Sequence, residues 1–411
     1  MHPQLKRKNQ ILCALDVGSS KTRLLMARMH CSGRVEILAG GSTDTCGLTK
    51  GIVVNLAEVA ASIRHVVEEA ESKTNIPVNC VVAGISGNHI MSHNFSGAVE
   101  IKGKHGEVTA KDMESVIRAA SIPLSQEREV LHILPTEFFL NGRGGIRNPV
   151  GLTGPQLDLN LHVVSCDSAL SQSLVSAANR ARTRVRRIIL QSIASGEAVL
   201  TPEERSLGVA VIDIGAGTTD IAVYMENSIC HTSVLPVGGA HFTSDLVEAL
   251  HTSRQEAERV KIEFGSVIPE QIDSEETTGV QGLGMRGSSD FSRKEICEYL
   301  YDRGAELLEL VKDDIFGSVE KERLLAGAVL TGGGSQTEGM VDLAGRILEM
   351  PVRLGSPMGF EGLGTELKHS TFSCAVGLIL LEARKTESQD FFSRPRTPYS
   401  WTDRIVSFFE K

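Results

Sequence analysis

The chain has 411 residues, 41% of them hydrophobic and 4% aromatic, which is enough for two or more domains with ordinary cores. A formal net charge of −9 argues against a nucleic-acid partner, and none is expected. Eight scattered cysteines without a C-x-x-C pair exclude a disulfide frame or a zinc site, and no apolar run is long enough to span a bilayer or to read as a signal peptide.

Leu12 to Val17 reads as a strand and Lys21 to Met29 as its return, with Val35 to Ala39 as a third. Between the first two lies Asp16-Val-Gly18-Ser19-Ser20-Lys21. Glycine at such a turn lets backbone N–H groups approach an anion, because no Cβ intervenes. Leu56 to Lys73 is a helix, with Val59, Ile63, Val66, Val67 and Ala70 on one face. Val78 to Ile85 is a strand. From Ser86 to Pro155 the texture changes to polar β-like runs, a helix after Thr109 and a Gly-, Asn- and Pro-rich stretch, read as a small α+β insert. Leu157 to Cys166 is a strand, Asp167 to Ala181 a helix and Val185 to Leu190 a strand. Gln191 to Leu200 is a helix crossing to the second half.

Leu207 to Ile214 is a second buried strand, followed by Gly215-Ala216-Gly217-Thr218-Thr219 and a return strand. It repeats the first hairpin position for position: Asp213 matches Asp16, Gly215 matches Gly18 and Thr219 matches Thr22. Two copies of one phosphate-gripping hairpin imply two similar lobes facing each other across a nucleotide. Asp16 and Asp213 stand where an acid holds hydrated Mg2+ against phosphates. Helices follow through Phe242 to Leu250 and over Glu256 to Phe264, and Ser274 to Asp290 reads as a polar surface loop. Ile296 to Val311 is a long helix. Ala328 to Thr331 is a strand entering the turn Gly332-Gly333-Gly334-Ser335, which suits an adenosine lying on backbone. Gly339 to Leu348 and Ser370 to Leu381 are helices, and the polar chain past Glu382 reads as a flexible linker.

The last residues form an amphipathic helix. At 100° per residue Trp401, Ile405, Phe408 and Phe409 share one face, with Arg404 beside them. Arg394, Arg396, Arg404 and Lys411 against Asp403 and Glu410 leave residues 394–411 at +2, which suits an anionic membrane surface. The alternative is a terminal helix docked on its own domain.

Phosphate hairpin, connecting helix, second hairpin and adenosine turn, in that order, are the pattern of the actin-like ATPases. Gly84-Ile-Ser-Gly87, Val130 to Pro135, Ile146 to Gly154, Gly208 to Tyr224, Val329 to Gly334 and the amphipathic end together resemble the FtsA family of bacterial actin-like cell-division proteins, over nearly the whole chain. The resemblance implies an α/β actin-like fold of two duplicated lobes around a nucleotide cleft, with an insert domain in the first lobe. The expected layout is a first-lobe core over 1–84 and 164–200, the insert over 85–163, a second-lobe core over 201–237 and 304–364, and its smaller subdomain over 238–303. A closing helix over 365–384, a linker over 385–398 and a membrane-targeting helix over 399–411 complete it.

The resemblance also implies ATP and Mg2+ as ligands. Asp16, Gly18, Ser19, Ser20 and Lys21 fall on the first phosphate motif; Asp213, Gly215, Ala216, Gly217, Thr218 and Thr219 on the second; Gly332 to Ser335 on the adenosine motif. Glu258 and Lys261, three residues apart on one helical face, resemble the pair that brackets ribose and adenine, though the spacing alone also fits a solvated ion pair. Where chaperone relatives place a glutamate on the connecting helix, gap-free alignment puts Ala194, so hydrolysis is expected to be slow at best and no catalytic residue is assigned. Implied partners are the C-terminal peptide of FtsZ, docking between about Pro236 and Arg303, a second copy in a head-to-tail filament, later division proteins, and the inner face of the cytoplasmic membrane at the division site. A sugar or acetate-type kinase, a chaperone ATPase and a pilus-assembly actin homologue are the competing readings; the first lacks a motif for a catalytic acid in a sugar pocket.

Overall fold

The structure is a computed structural model that describes residues 9–120, 125–146, 148–284, 287–362 and 364–389. In chain order the first lobe opens with strands β1 (Gln10–Val17), β2 (Lys21–Met29) and β3 (Val35–Asp44). A two-strand turn, β4 (Leu48–Thr49) and β5 (Ile52–Val53), leads to α1 (Leu56–Thr74) and β6 (Cys80–Ile85). Helix α1 starts where the Asn55 side chain accepts from the Ala57 and Glu58 amides, and stops where Asn75 turns left-handed at φ 55°.

The chain then leaves for the insert: β7 (Met91–Glu100), α2 (Ala110–Ala119), β8 (Arg128–Leu140), β9 (Arg143–Ile146) and β10 (Gln156–Asp167). These strands form one sheet in the order β7-β10-β8-β9. Val116 and Ile117 of α2 are buried with Leu157, Leu159 and Leu161 of β10, the alternate residues of one sheet face. The chain returns through α3 (Ser168–Arg180) and β11 (Arg184–Leu190), and crosses to the second lobe by α4 (Gln191–Val199) and α5 (Pro202–Leu207).

The second lobe contains β12 (Val209–Ile214), β13 (Thr219–Met225), β14 (Ser228–Leu235), α6 (Gly239–Ala249), α7 (Arg254–Phe264), β15 (Thr277–Gln281), β16 (Ser288–Ser292) and α8 (Arg293–Phe316). It ends with β17 (Ala328–Thr331), α9 (Met340–Leu348) and β18 (Val352–Leu354), after which the chain returns to the first lobe with β19 (Glu361–Gly362) and α10 (Ser373–Gln389), whose Ala375, Leu378 and Ile379 join the first-lobe core. The second lobe's main sheet runs β14-β13-β12-β17-β18, and the first lobe's runs β3-β2-β1-β6-β11 with β19 added beside β3. In both, three antiparallel strands are followed by two parallel ones. The hairpin repeat is therefore the visible part of a repeated sheet. Residues such as Leu15, Leu24 and Ile63 fill the first core, and Ile212, Phe242 and Leu307 the second.

Helices α4 and α10 cross between the lobes. A Cβ on Gly377 would stand 1.7 Å from the Ala194 carbonyl oxygen, so the crossing requires glycine there. Ala194 itself is fully buried in this contact.

Several local readings are corrected. Ser274 to Asp290 is not only loop: it holds most of the β15–β16 hairpin, with Thr278 and Val280 turned inward and the intervening residues exposed. Leu207 ends α5 rather than opening a strand. That short helix is set by a capping box, the Thr201 hydroxyl accepting from the Glu204 amide and the Glu204 carboxylate from the Thr201 amide. Helix α10 continues past Leu381 to Gln389, into the stretch read as linker. The membrane-helix residues Trp401, Arg404, Ile405, Phe408 and Phe409 lie outside the described residues. No described helix is long and apolar enough to cross a membrane.

Candidate functional site: the cleft between the lobes

The two hairpins make the same four-residue turn. The Gly18 amide donates to the Lys21 carbonyl at 3.0 Å, and the Gly215 amide donates to the Thr218 carbonyl at 2.9 Å. Strand register sets Asp16 opposite Arg23 in the first copy and Asp213 opposite Asp220 in the second. The hairpin tips meet: a Cβ on Gly217 would lie 2.4 Å from the Ser19 Oγ. The third motif joins them, since Gly332, at φ 83°, would drive a Cβ to 2.2 Å from an Asp213 carboxylate oxygen. The Ser335 hydroxyl donates to the Gly332 carbonyl at 2.7 Å and closes that turn. Gly333 is exposed on its outer side, while Gly334 is half-buried against Ile214.

Glu258 and Lys261 reach the same place through α6. Lys261 Nζ donates to the Gly239 carbonyl at 3.1 Å, to Thr243 Oγ1 at 2.9 Å and to Glu258 at 2.7 Å. The Gly239 amide in turn donates to the Gly215 carbonyl at 2.9 Å, and the Ala240 amide to the Ala216 carbonyl at 2.8 Å. Lys261 is thus largely buried against the start of α6, with Glu258 half-exposed beside it.

Two expected contacts turn elsewhere. Lys21 pairs with the exposed Asp44 at 2.6 Å. The fully buried Thr219 hydroxyl donates to the Val237 carbonyl at 2.8 Å, as its counterpart Thr22 meets Thr45 at 2.8 Å, so both threonines fasten hairpins. Ser20 is exposed and its carbonyl accepts from the Thr45 amide.

Residues the motifs did not single out complete the floor. Gln191 Nε2 donates to Asp16 at 2.9 Å, and the Ser195 hydroxyl donates to Asp213. The cleft-facing residues of α4 are therefore Gln191 and Ser195; Ala194, placed there by gap-free alignment, faces α10. The first turn of a helix exposes residues four apart to one side, and that periodicity would have found the pair. Asp220 is the third acid. Ser86, from the first lobe, donates to it at 2.8 Å, and Thr218 at 3.0 Å, while its other carboxylate oxygen is buried with no hydrogen-bond partner.

Burial raises all three carboxyls: Asp16 above its usual range, Asp213 to about 6 and Asp220 to about 7, with mutual repulsion adding to the last two and Arg23 opposing it at Asp16 and Asp213. Arg23 lies over the Phe372 ring at 5.1 Å and is the cation opposite Asp16. One guanidinium against three acids leaves the cleft floor short of positive charge. A divalent cation would supply it. Among the described residues no three His, Cys, Asp or Glu side chains form a metal cage, so such an ion would complete its shell with water and phosphate oxygens. The donor set fits hydrated Mg2+ on a nucleotide.

Duplicated sheets with paired turns facing a cleft define an actin-like ATPase fold. Among solved structures, the chain is similar to a PilM-PilN type IV pilus biogenesis complex (TM-score 0.65, 18% identity, 93% of this chain and 99% of that one). It is also similar to MreB 5 of Spiroplasma citri bound to AMPPNP (TM-score 0.56, 13% identity, 94% and 100%). A family model described as cell division protein FtsA matches residues 210–377, and one for the SHS2 domain inserted in FtsA matches 87–165. The chain is 35% identical to cell division protein FtsA of Pseudomonas aeruginosa, covering 96% of this chain and 94% of that protein. It is 34% identical to cell division protein FtsA of Escherichia coli K12, covering 90% of each. The chain belongs to the FtsA family of actin-like cell-division proteins.

Proposed function

We propose that the chain binds Mg2+-ATP in this cleft, assembles head to tail, and tethers FtsZ filaments to the inner face of the cytoplasmic membrane at the division site, where it also meets later division proteins. The observation that carries the nucleotide reading is the convergence of two identical turns and a glycine turn on three buried acids with one opposing guanidinium. The magnesium ion supplies the missing positive charge when bound. Backbone amides of Ser19 to Lys21 and Ala216 to Thr218 would hold phosphate oxygens, the Gly18 and Gly215 amides being spent within their turns; Asp16 and Asp213 would orient the ion's waters, and Gly332 to Ser335 with Glu258 and Lys261 would hold the adenosine.

The FtsZ peptide is assigned to the subdomain around α6–α8. Ile262, Leu283 and Tyr299, large apolar side chains exposed within that stretch, support the assignment. The membrane tether is assigned to the helix of Trp401, Ile405, Phe408 and Phe409. Calorimetric titration of the protein with ATP, with and without Mg2+, tests the cleft. Binding that weakens strongly when the metal is chelated supports the reading; metal-independent binding, or none, removes it.

A further inference from the structure

Residues Lys50 and Gly51 form the two-residue loop between β4 and β5, whose register pairs Thr49 with Ile52. Both have positive φ, 49° and 79°, which makes the loop a type I′ turn. Asn-Gly is the usual occupant of that turn, and a lysine in the left-handed region is a departure that the backbone does not ask for.

The turn is wedged across the mouth of the cleft. A Cβ on Gly51 would fall 2.1 Å from the Ser86 carbonyl oxygen, so its back is pressed against the first lobe. On its other side the Lys50 Cα lies 3.2 Å from the Cβ position of Gly217, at the tip of the second lobe's hairpin. His241, in the first turn of α6, also feels the Lys50 ammonium.

The neighbouring cations are already engaged: Lys21 with Asp44, Lys261 with Glu258, and Arg23 with the Phe372 ring. Among the described residues Lys50 has no ion pair or hydrogen bond through its ammonium, and it is exposed. Its place along the cleft is also ordered. Lys261 touches Gly239, Gly239 touches Gly215, and Gly217 touches Ser19 and Lys50. Lys50 therefore stands beside the tip of the second hairpin, with that hairpin and the start of α6 between it and Lys261.

We propose that Lys50 pairs with the terminal phosphate of the bound nucleotide, so that the cleft distinguishes a nucleoside triphosphate from a diphosphate. This rests on the nucleotide reading and adds to it the means by which the two ligand states differ. A diphosphate ends short of the turn and leaves the ammonium in water. A triphosphate meets a cation from the first lobe while the second lobe's Gly217 backbone stands beside it, which couples the two lobes through one ion pair.

The test is Lys50→Asn, which places the residue most favoured by the turn at this position and so keeps or improves the fold. Thermal unfolding checks that point. Calorimetry with Mg2+-ATP and Mg2+-ADP then gives the ratio of affinities. The expected result is a loss of about tenfold in ATP affinity with ADP affinity unchanged, the size of one charge-assisted contact to phosphate. Lys50→Arg, which keeps the charge, retains the preference for ATP. An unchanged ratio in Lys50→Asn overturns the role of Lys50 while leaving the nucleotide reading standing. A native chain that binds neither nucleotide overturns both.

Discussion

Asp213→Asn is expected to stabilise the empty protein and to abolish its response to Mg2+-ATP. The carboxyl of Asp213 is raised from its usual 3.8 to about 6, first by burial and then by repulsion from Asp16. An acid with a raised folded pKa binds protons more readily folded than unfolded. Stability is therefore lost as pH rises from about 4 to about 6, and the full penalty is present above that. At 1.36 kcal/mol per pH unit the rise corresponds to about 3 kcal/mol, an upper bound because the side chain keeps some contact with solvent. Asparagine keeps an acceptor for the Ser195 hydroxyl and removes the charge. At pH 7 the thermal midpoint of the empty variant should rise by a few degrees, and the difference should shrink toward pH 4. Addition of Mg2+-ATP should raise the midpoint of the native chain and leave the variant's in place. A variant less stable than the native chain at pH 7 would refute the burial argument, and a retained Mg2+-dependent shift would refute the metal assignment.

Gly377→Ala forces a methyl group to 1.7 Å from the Ala194 carbonyl, backbone against backbone, so no rotamer relieves it. The expected loss is at least about 1–3 kcal/mol, seen as a lower urea midpoint, and an unchanged midpoint contradicts the crossing described here. Lys261→Ala removes three hydrogen bonds on the adenosine side. ATP and ADP affinity should fall together, by about tenfold, whereas a loss confined to ATP would place the residue at the phosphates instead. Trp401→Glu should leave the unfolding curve untouched and release the protein from anionic vesicles; continued pelleting with lipid would put the anchor elsewhere.

Much of the fold was legible because it is repeated. Asp16 and Asp213 each precede a glycine by two residues and begin the same turn, and the two sheets built on them share one strand order. The glycine turn at Gly332 was legible by its sequence as well. What was hidden depends on contacts between distant segments. Asp220 reads as an ordinary polar position in a return strand, and only folding sets it against Ser86, 134 residues away. Gln191 and Ser195 were masked by an alignment without gaps, which gave the cleft to Ala194. The β15–β16 hairpin is Ser-, Thr- and Gly-rich and lacks the β-branched apolar alternation that marks a half-buried strand. The end of α10 was misplaced because residues 385–389 are polar and read as linker. Just before them Glu382 is buried beside Arg186 and Arg187, and Arg384 pairs with Glu197.

That last point decides how the tether is cut. A chain ending at Glu382 would lose the Arg384–Glu197 pair and part of α10, so the informative truncation ends at Gln389. The most direct test of a nucleotide-responsive membrane tether is sedimentation of both chains with anionic vesicles, with and without Mg2+-ATP. The account predicts that the full chain pellets with lipid, more so with ATP, and that the chain ending at Gln389 stays in solution while still binding ATP. Equal pelleting of the two chains, or indifference of the full chain to ATP, would contradict it.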